Sequence, residues 1–180
     1  MVRIIVVYGA ISGVILEALV FLAMALHPHG GLLGMVFGYL AMLIALAFVF
    51  IGVKRYRDEA LGGTIRFATA LGVGSAIGAI ALVFYVLGWE AYLASTGYRF
   101  APEYARQAIA SRQAAGASPA ELAQVTRQMQ DFVTSYASPP YRMAMTATEI
   151  APVLILVALT SAAFLRRSTF LPARTPLGQR

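Results

Sequence analysis

Two carboxylates sit where charge is costly. Glu17 interrupts an apolar run from Ile4 to Leu26, and Glu149 interrupts another from Met143 to Leu165. At about 1.5 Å of helix per residue, Glu17 lies roughly 13 Å and Glu149 roughly 10 Å inside the outer ends of their runs, so both acids are expected in one layer. An ionised acid in hydrocarbon costs at least ~2.5 kcal/mol on insertion scales, so each should face other helices, hold a proton or cation, or find a partner. One reading is a proton- or cation-binding site, with Glu90, His27 and His29 near its outer mouth. The plainer reading is protonated or hydrogen-bonded glue between helices, with Glu90 an interfacial charge. Gly9, Gly13 and Glu17 follow one another at four-residue steps, a small-residue stripe of the kind that packs helices and would turn Glu17 inward. Pro152 cannot donate to the carbonyl of Thr148, which leaves an acceptor beside Glu149 for a cation or a proton.

Other residue types carry less. His27 and His29 flank a proline in a short turn and could ligate zinc, copper or nickel; a solvated loop explains them as simply. Ala68, Gly72, Ser75 and Ala79, with Gly74 and Gly78, let a second helix approach closely, and packing is the preferred reading over a glycine-lined path. The spacing from Gly72 to Gly78 is not a dinucleotide fingerprint. No serine has a nucleophile-elbow context or a paired base, and there is no cysteine, so thiolate catalysis, disulfides and zinc–thiolate sites are excluded. No catalytic residues and no cofactor are assigned.

Positioning these groups falls to elements that composition describes well. The 180 residues are 59% hydrophobic and 12% charged, with a mean hydropathy of +0.73, which is a membrane composition. The predicted spans are about 4–26, 32–53 and 65–90, within a segment 1–90, and 143–165. Each is long enough for a ~30 Å hydrocarbon core. A secretory leader is the rival reading of the first run, but the run exceeds an ordinary h-region and contains Glu17. Residues 91–142 are polar and read as an extracytoplasmic helical hairpin: a first helix from Ala101 to about Ala115 ended by Gly116, then a capping box Ser118-Pro-Ala-Glu121. In the second helix Leu122, Val125, Met129, Phe132, Val133 and Tyr136 share one face. Residues 166–180 form a flexible basic cytoplasmic tail. Between spans two and three, Gly62-Gly63 can end a helix and Thr64 can cap the next.

Charge sets orientation. With the amino terminus inside, Arg3, Lys54, Arg55, Arg57, Arg66, Arg166, Arg167, Arg174 and Arg180 lie inside, nine of the 14 Lys and Arg, and Arg99, Arg106, Arg112, Arg127 and Arg142 lie outside. The bias places both termini in the cytoplasm, and it explains the net charge of +6 without nucleic acid. The inner hinge has a second reading, in which Arg55, Arg57 and Arg66 grip a lipid phosphate through the guanidinium fork. Topology and a shaped, internally paired loop are preferred.

The hinge also carries a resemblance. Tyr8-Gly9, Gly38-Tyr39, Arg55-Tyr-Arg-Asp-Glu59, Leu61-Gly-Gly63, Ile65-Arg-Phe67 and Ala70-Leu-Gly-Val-Gly74 resemble the bacterial membrane family catalogued as domain of unknown function 4199. The resemblance implies four helices in a bacterial inner membrane with an outer insertion before the last, and it brings no catalytic residues.

The expected fold is therefore all-α, a four-transmembrane-helix bundle with a helical hairpin between helices three and four. The expected partners are the bilayer, anionic headgroups and, because four helices enclose little volume, a homo-oligomer or another membrane protein. Proton- or cation-linked transport or lipid handling through the acids is the leading functional reading. A non-catalytic accessory or scaffold subunit, bound through glycine-rich faces and the outer hairpin, is the alternative.

Overall fold

The computed structural model describes residues 1–26 and 31–173. Within them lie six helices: α1 (Val2–Leu26), α2 (Gly31–Ala60), α3 (Phe67–Ser95), α4 (Phe100–Ala114), α5 (Pro119–Tyr136) and α6 (Pro139–Leu165). There is no strand among the described residues, and α1, α2, α3 and α6 are long and apolar enough to cross a membrane.

Local chemistry explains where helices stop and start. Gly62 and Gly63 have φ of +65° and +94°, a left-handed region that glycine enters without a Cβ clash, and the Gly63 amide donates to the Arg57 carbonyl at 3.0 Å. Thr64 does not cap α3. The chain stays irregular through Arg66 and the helix begins at Phe67, so the hydroxyl is too far upstream to meet the free amides. Gly116 ends the first polar helix through a Schellman pair, its own amide donating to Gln113 and that of Ala117 to Arg112. At α5 the Ser118 amide donates to Glu121 Oε2 at 2.7 Å, and the Glu121 amide returns a bond to Ser118 Oγ. The Ser118 amide holds the Glu121 carboxyl below the usual carboxylate range. Pro139 and Pro140 open α6, where a missing amide costs nothing.

The chain divides into two compact units, Met1–Tyr85 with Glu149–Arg180, and Val86–Thr148. The first has a core in which Leu16, Leu46, Val49, Val53, Ile77, Ile150 and Leu165 are fully buried. Glycines set its closest approaches. A Cβ on Gly9 would stand 2.6 Å from Ile80 Cβ, one on Gly13 2.4 Å from Phe84 Cβ, and one on Gly78 2.6 Å from Leu154 Cγ. The buried Ser12 hydroxyl donates to the Ala45 carbonyl at 2.8 Å, tying α1 to α2. Outside this core Leu32, Leu33, Ile44, Val83, Ile155 and Leu156 are more than half exposed. So broad an apolar surface is unsustainable in water and suits lipid contact.

The second unit is held by aromatic rings. Leu93, Ala101 and Tyr136 form its buried apolar cluster, with Trp89, Phe100 and Phe132 packed on them. Trp89 Nε1 donates to the Tyr136 hydroxyl at 2.7 Å, and burial pushes the Tyr136 phenol above its ordinary value. Helices α4 and α5 flank a shallow groove of about 300 Å³ lined by Ala105, Ile109, Met129 and Val133, with Arg106 and Gln130 among its polar residues.

Candidate functional site

Glu17 follows the tightly packed Gly9 and Gly13 by one more helical turn and is half-buried. Its Oε1 is shut away from solvent and accepts no hydrogen bond among the described residues. That is unusual, because a buried polar atom without a partner forfeits the desolvation free energy that a hydrogen bond would recover.

Glu149 is arranged differently. Its residue is exposed, and its Oε2 accepts a bond from the Tyr85 hydroxyl at 3.2 Å. No hydrogen bond or ion pair among the described residues joins Glu17 to Glu149. They are linked through neighbours: Leu16, Tyr85 and Ile150 belong to one buried cluster, and Phe84, beside Tyr85, packs on Gly13. Pro152 lies within α6 without ending it.

Glu90 has its charge matched. Arg142 presents its fork, Nε to Oε1 at 2.7 Å and Nη2 to Oε2 at 2.6 Å, while Nη1 donates to the Ala137 carbonyl at 3.1 Å. The guanidinium also lies over the Tyr98 ring at 4.8 Å. Arg142 is 6% exposed, so this is a buried bidentate pair with its remaining donors employed, the condition under which such a pair is tolerated. Glu90 lies in the last turns of α3 and Arg142 in the first turn of α6. That opposition of charge at one boundary is a signal in the sequence that the reading of Glu90 as a lone acid overlooked.

The hinge arginines separate by role. Arg57 is 0% exposed. Its Nε donates to Asp58 Oδ1 at 2.7 Å, Nη1 to the carbonyls of Phe170 at 2.9 Å and Leu165 at 3.5 Å, and Nη2 to the Leu171 carbonyl. Arg55 is exposed, bonded to Glu59 at 2.6 Å and to the Tyr8 hydroxyl at 3.1 Å. Arg66 is exposed and makes no side-chain bond among the described residues.

The small residues separate too. Gly9, Gly13 and Gly78 meet neighbouring helices, whereas a Cβ on Gly72 would find nothing within 4 Å, and Ser75 is exposed. His27 and His29 lie outside the described residues. No group of three or more metal-ligating side chains occurs among the described ones.

Six helices, four of them fit to span, with apolar outer surfaces and charge gathered at helix ends, define a multi-pass α-helical membrane protein. The family model described as "Protein of unknown function (DUF4199)" matches residues 7–167, and the chain belongs to that family. Neither the curated proteins nor the solved structures contain a match.

Proposed function

We propose that this is a small multi-pass protein of the bacterial cytoplasmic membrane, with both termini inside, that binds a proton or cation at Glu17, with Glu149 on the same route. The observation that carries the reading is the buried Oε1 of Glu17, which no donor among the described residues meets. An acid used only as glue between helices would have a donor on it. The orientation rests on nine of 14 basic residues falling on one side of the four spans. The test is flux in proteoliposomes holding a pH-sensitive dye under an imposed proton or sodium gradient. Wild type should exceed empty vesicles by about tenfold, a difference of ~1.4 kcal/mol in barrier, and Glu17→Gln should fall to the empty-vesicle rate. Flux that Glu17→Gln leaves intact would remove the acid from the mechanism.

One observation favours a second reading, an accessory or scaffold subunit. Gly72 and Ser75 turn away from the core of their own chain, as a face kept for another helix would. Because the chain has no cysteine, Ser75→Cys gives a single crosslinking site. A crosslinked dimer or heteromer in membranes supports this reading, and a monomer throughout counts against it.

A further inference from the structure

Two of the three hinge arginines, Arg55 and Arg57, are already committed within the fold. Asp58 is matched by Lys54 and Arg57, and Glu59 by Arg55. Four other arginines of the same compact unit, Arg3, Arg66, Arg166 and Arg167, are exposed, and their side chains have no hydrogen bond, ion pair or ring contact among the described residues. They stand at the ends of helices whose termini bound one bundle: the start of α1, the approach to α3 and the end of α6.

The segment that carries two of them is built, not loose. Arg57 binds the carbonyls of Leu165, Phe170 and Leu171, taking up both the end of α6 and the turn that follows. Phe170 packs edge-on against Phe50 at 6.4 Å between centroids and stacks on Phe164 at 5.1 Å. Leu171 holds φ +47°, a left-handed conformation that a branched aliphatic residue adopts only where its surroundings enforce it. Ala173 Cβ comes within 3.2 Å of the position a Cβ would take on Gly63. Residues 166–173 therefore form a strap from the end of α6 to the glycines of the hinge, with Arg57 as its pin.

We infer that Arg66, Arg166 and Arg167 form a binding surface for the phosphate headgroup of an anionic membrane lipid, and that Arg57 is the positioning residue that presents it. A guanidinium free of carboxylate offers a phosphate its bidentate fork, and these three adjoin Ile65 and Leu165, both in the buried cluster of the bundle. The occupant is a lipid because the spanning helices on which these side chains stand place lipid beside them. The inference shares only the membrane setting with the proposed function and does not involve Glu17, so either can fail without the other.

The test uses the full chain released from detergent in native mass spectrometry, titrated with phosphatidylglycerol and phosphatidylcholine. Wild type should bind phosphatidylglycerol preferentially. Each cation near an acidic leaflet is worth ~1 kcal/mol, about fivefold, so Arg66→Gln, Arg166→Gln and Arg167→Gln combined should cut the preference by roughly 100-fold. An unchanged preference in a triple variant that melts like wild type overturns the site. Arg57→Lys keeps the charge and loses the fork. It should lower the preference and also expose Phe170 and Leu171 to chymotrypsin, and if it does neither, the pin is wrong. Competition by millimolar inorganic phosphate as strong as that by phosphatidylglycerol would overturn the lipid assignment in favour of a free phosphate ligand.

Discussion

Arg57 and Glu17 are both ionisable residues set into an apolar bundle, and the fold treats them in opposite ways. Around Arg57 every nitrogen of the guanidinium has an acceptor, three of them main-chain carbonyls. At Glu17 an oxygen is buried and no donor among the described residues reaches it. Where a charge serves construction, this chain satisfies it, as it also does at Arg142 and Glu90. The unsatisfied acid is therefore the place to look for a ligand that comes and goes, because an open valence lowers stability and persists where function uses it.

The contrast is sharpest at its structural end. Arg57→Gln removes a buried cation from a network that cannot follow it and should cost about 3–5 kcal/mol, read as a large fall in melting temperature with early proteolysis after Phe170. A loss under about 1 kcal/mol would mean that Arg57 is no better integrated than a surface charge. The glycines draw the same distinction on a smaller scale. Gly13→Ala must push a methyl to 2.4 Å from Phe84 Cβ and should destabilise by about 1–3 kcal/mol. Gly72→Ala has open space around it and should stabilise an isolated chain by up to ~1 kcal/mol through helix propensity. If Gly72→Ala instead destabilises the protein only in its native membrane, a partner helix occupies that face.

The smallest effect lies in the polar hairpin. Glu121 has a folded pKa below its ordinary 4.5. Its contribution is therefore complete above that ordinary value and is lost as pH falls through the lower folded one. Amide exchange at the first turn of α5 should speed up over that acid window in wild type. Glu121→Gln should abolish the pH dependence, since it removes the carboxylate that the Ser118 amide and hydroxyl hold, while Ser118→Ala keeps the amide bond and should only reduce it.

Helix number, the Gly116 stop and the Ser118 capping box were legible because they rest on local chemistry and on the length of apolar runs. Facing was not. The spanning helices are apolar all round, so periodicity gives little indication of which side is inward. Hence Gly72 and Ser75 read as packing residues alongside Gly78, although the structure turns them outward. The role of Arg57 was legible in part. Leu46, Val49, Val53 and Arg57 follow one another at three- and four-residue steps and all are fully buried, so the arginine extends the core stripe of α2 while Arg55, two residues earlier, points elsewhere. Its carbonyl partners lie more than 100 residues away in sequence, beyond any local pattern. A separation of 64 residues likewise hid the bond from Tyr85 to Glu149.

The most direct test is the thermal unfolding of Glu17→Gln against wild type in the same detergent at neutral pH. An acid held for ligand binding and left without a donor contributes nothing to stability, so the variant should melt at the wild-type temperature or above it. A fall of about 4 °C or more, on the order of 1 kcal/mol or above for a chain of this length, would make Glu17 structural glue and contradict the account.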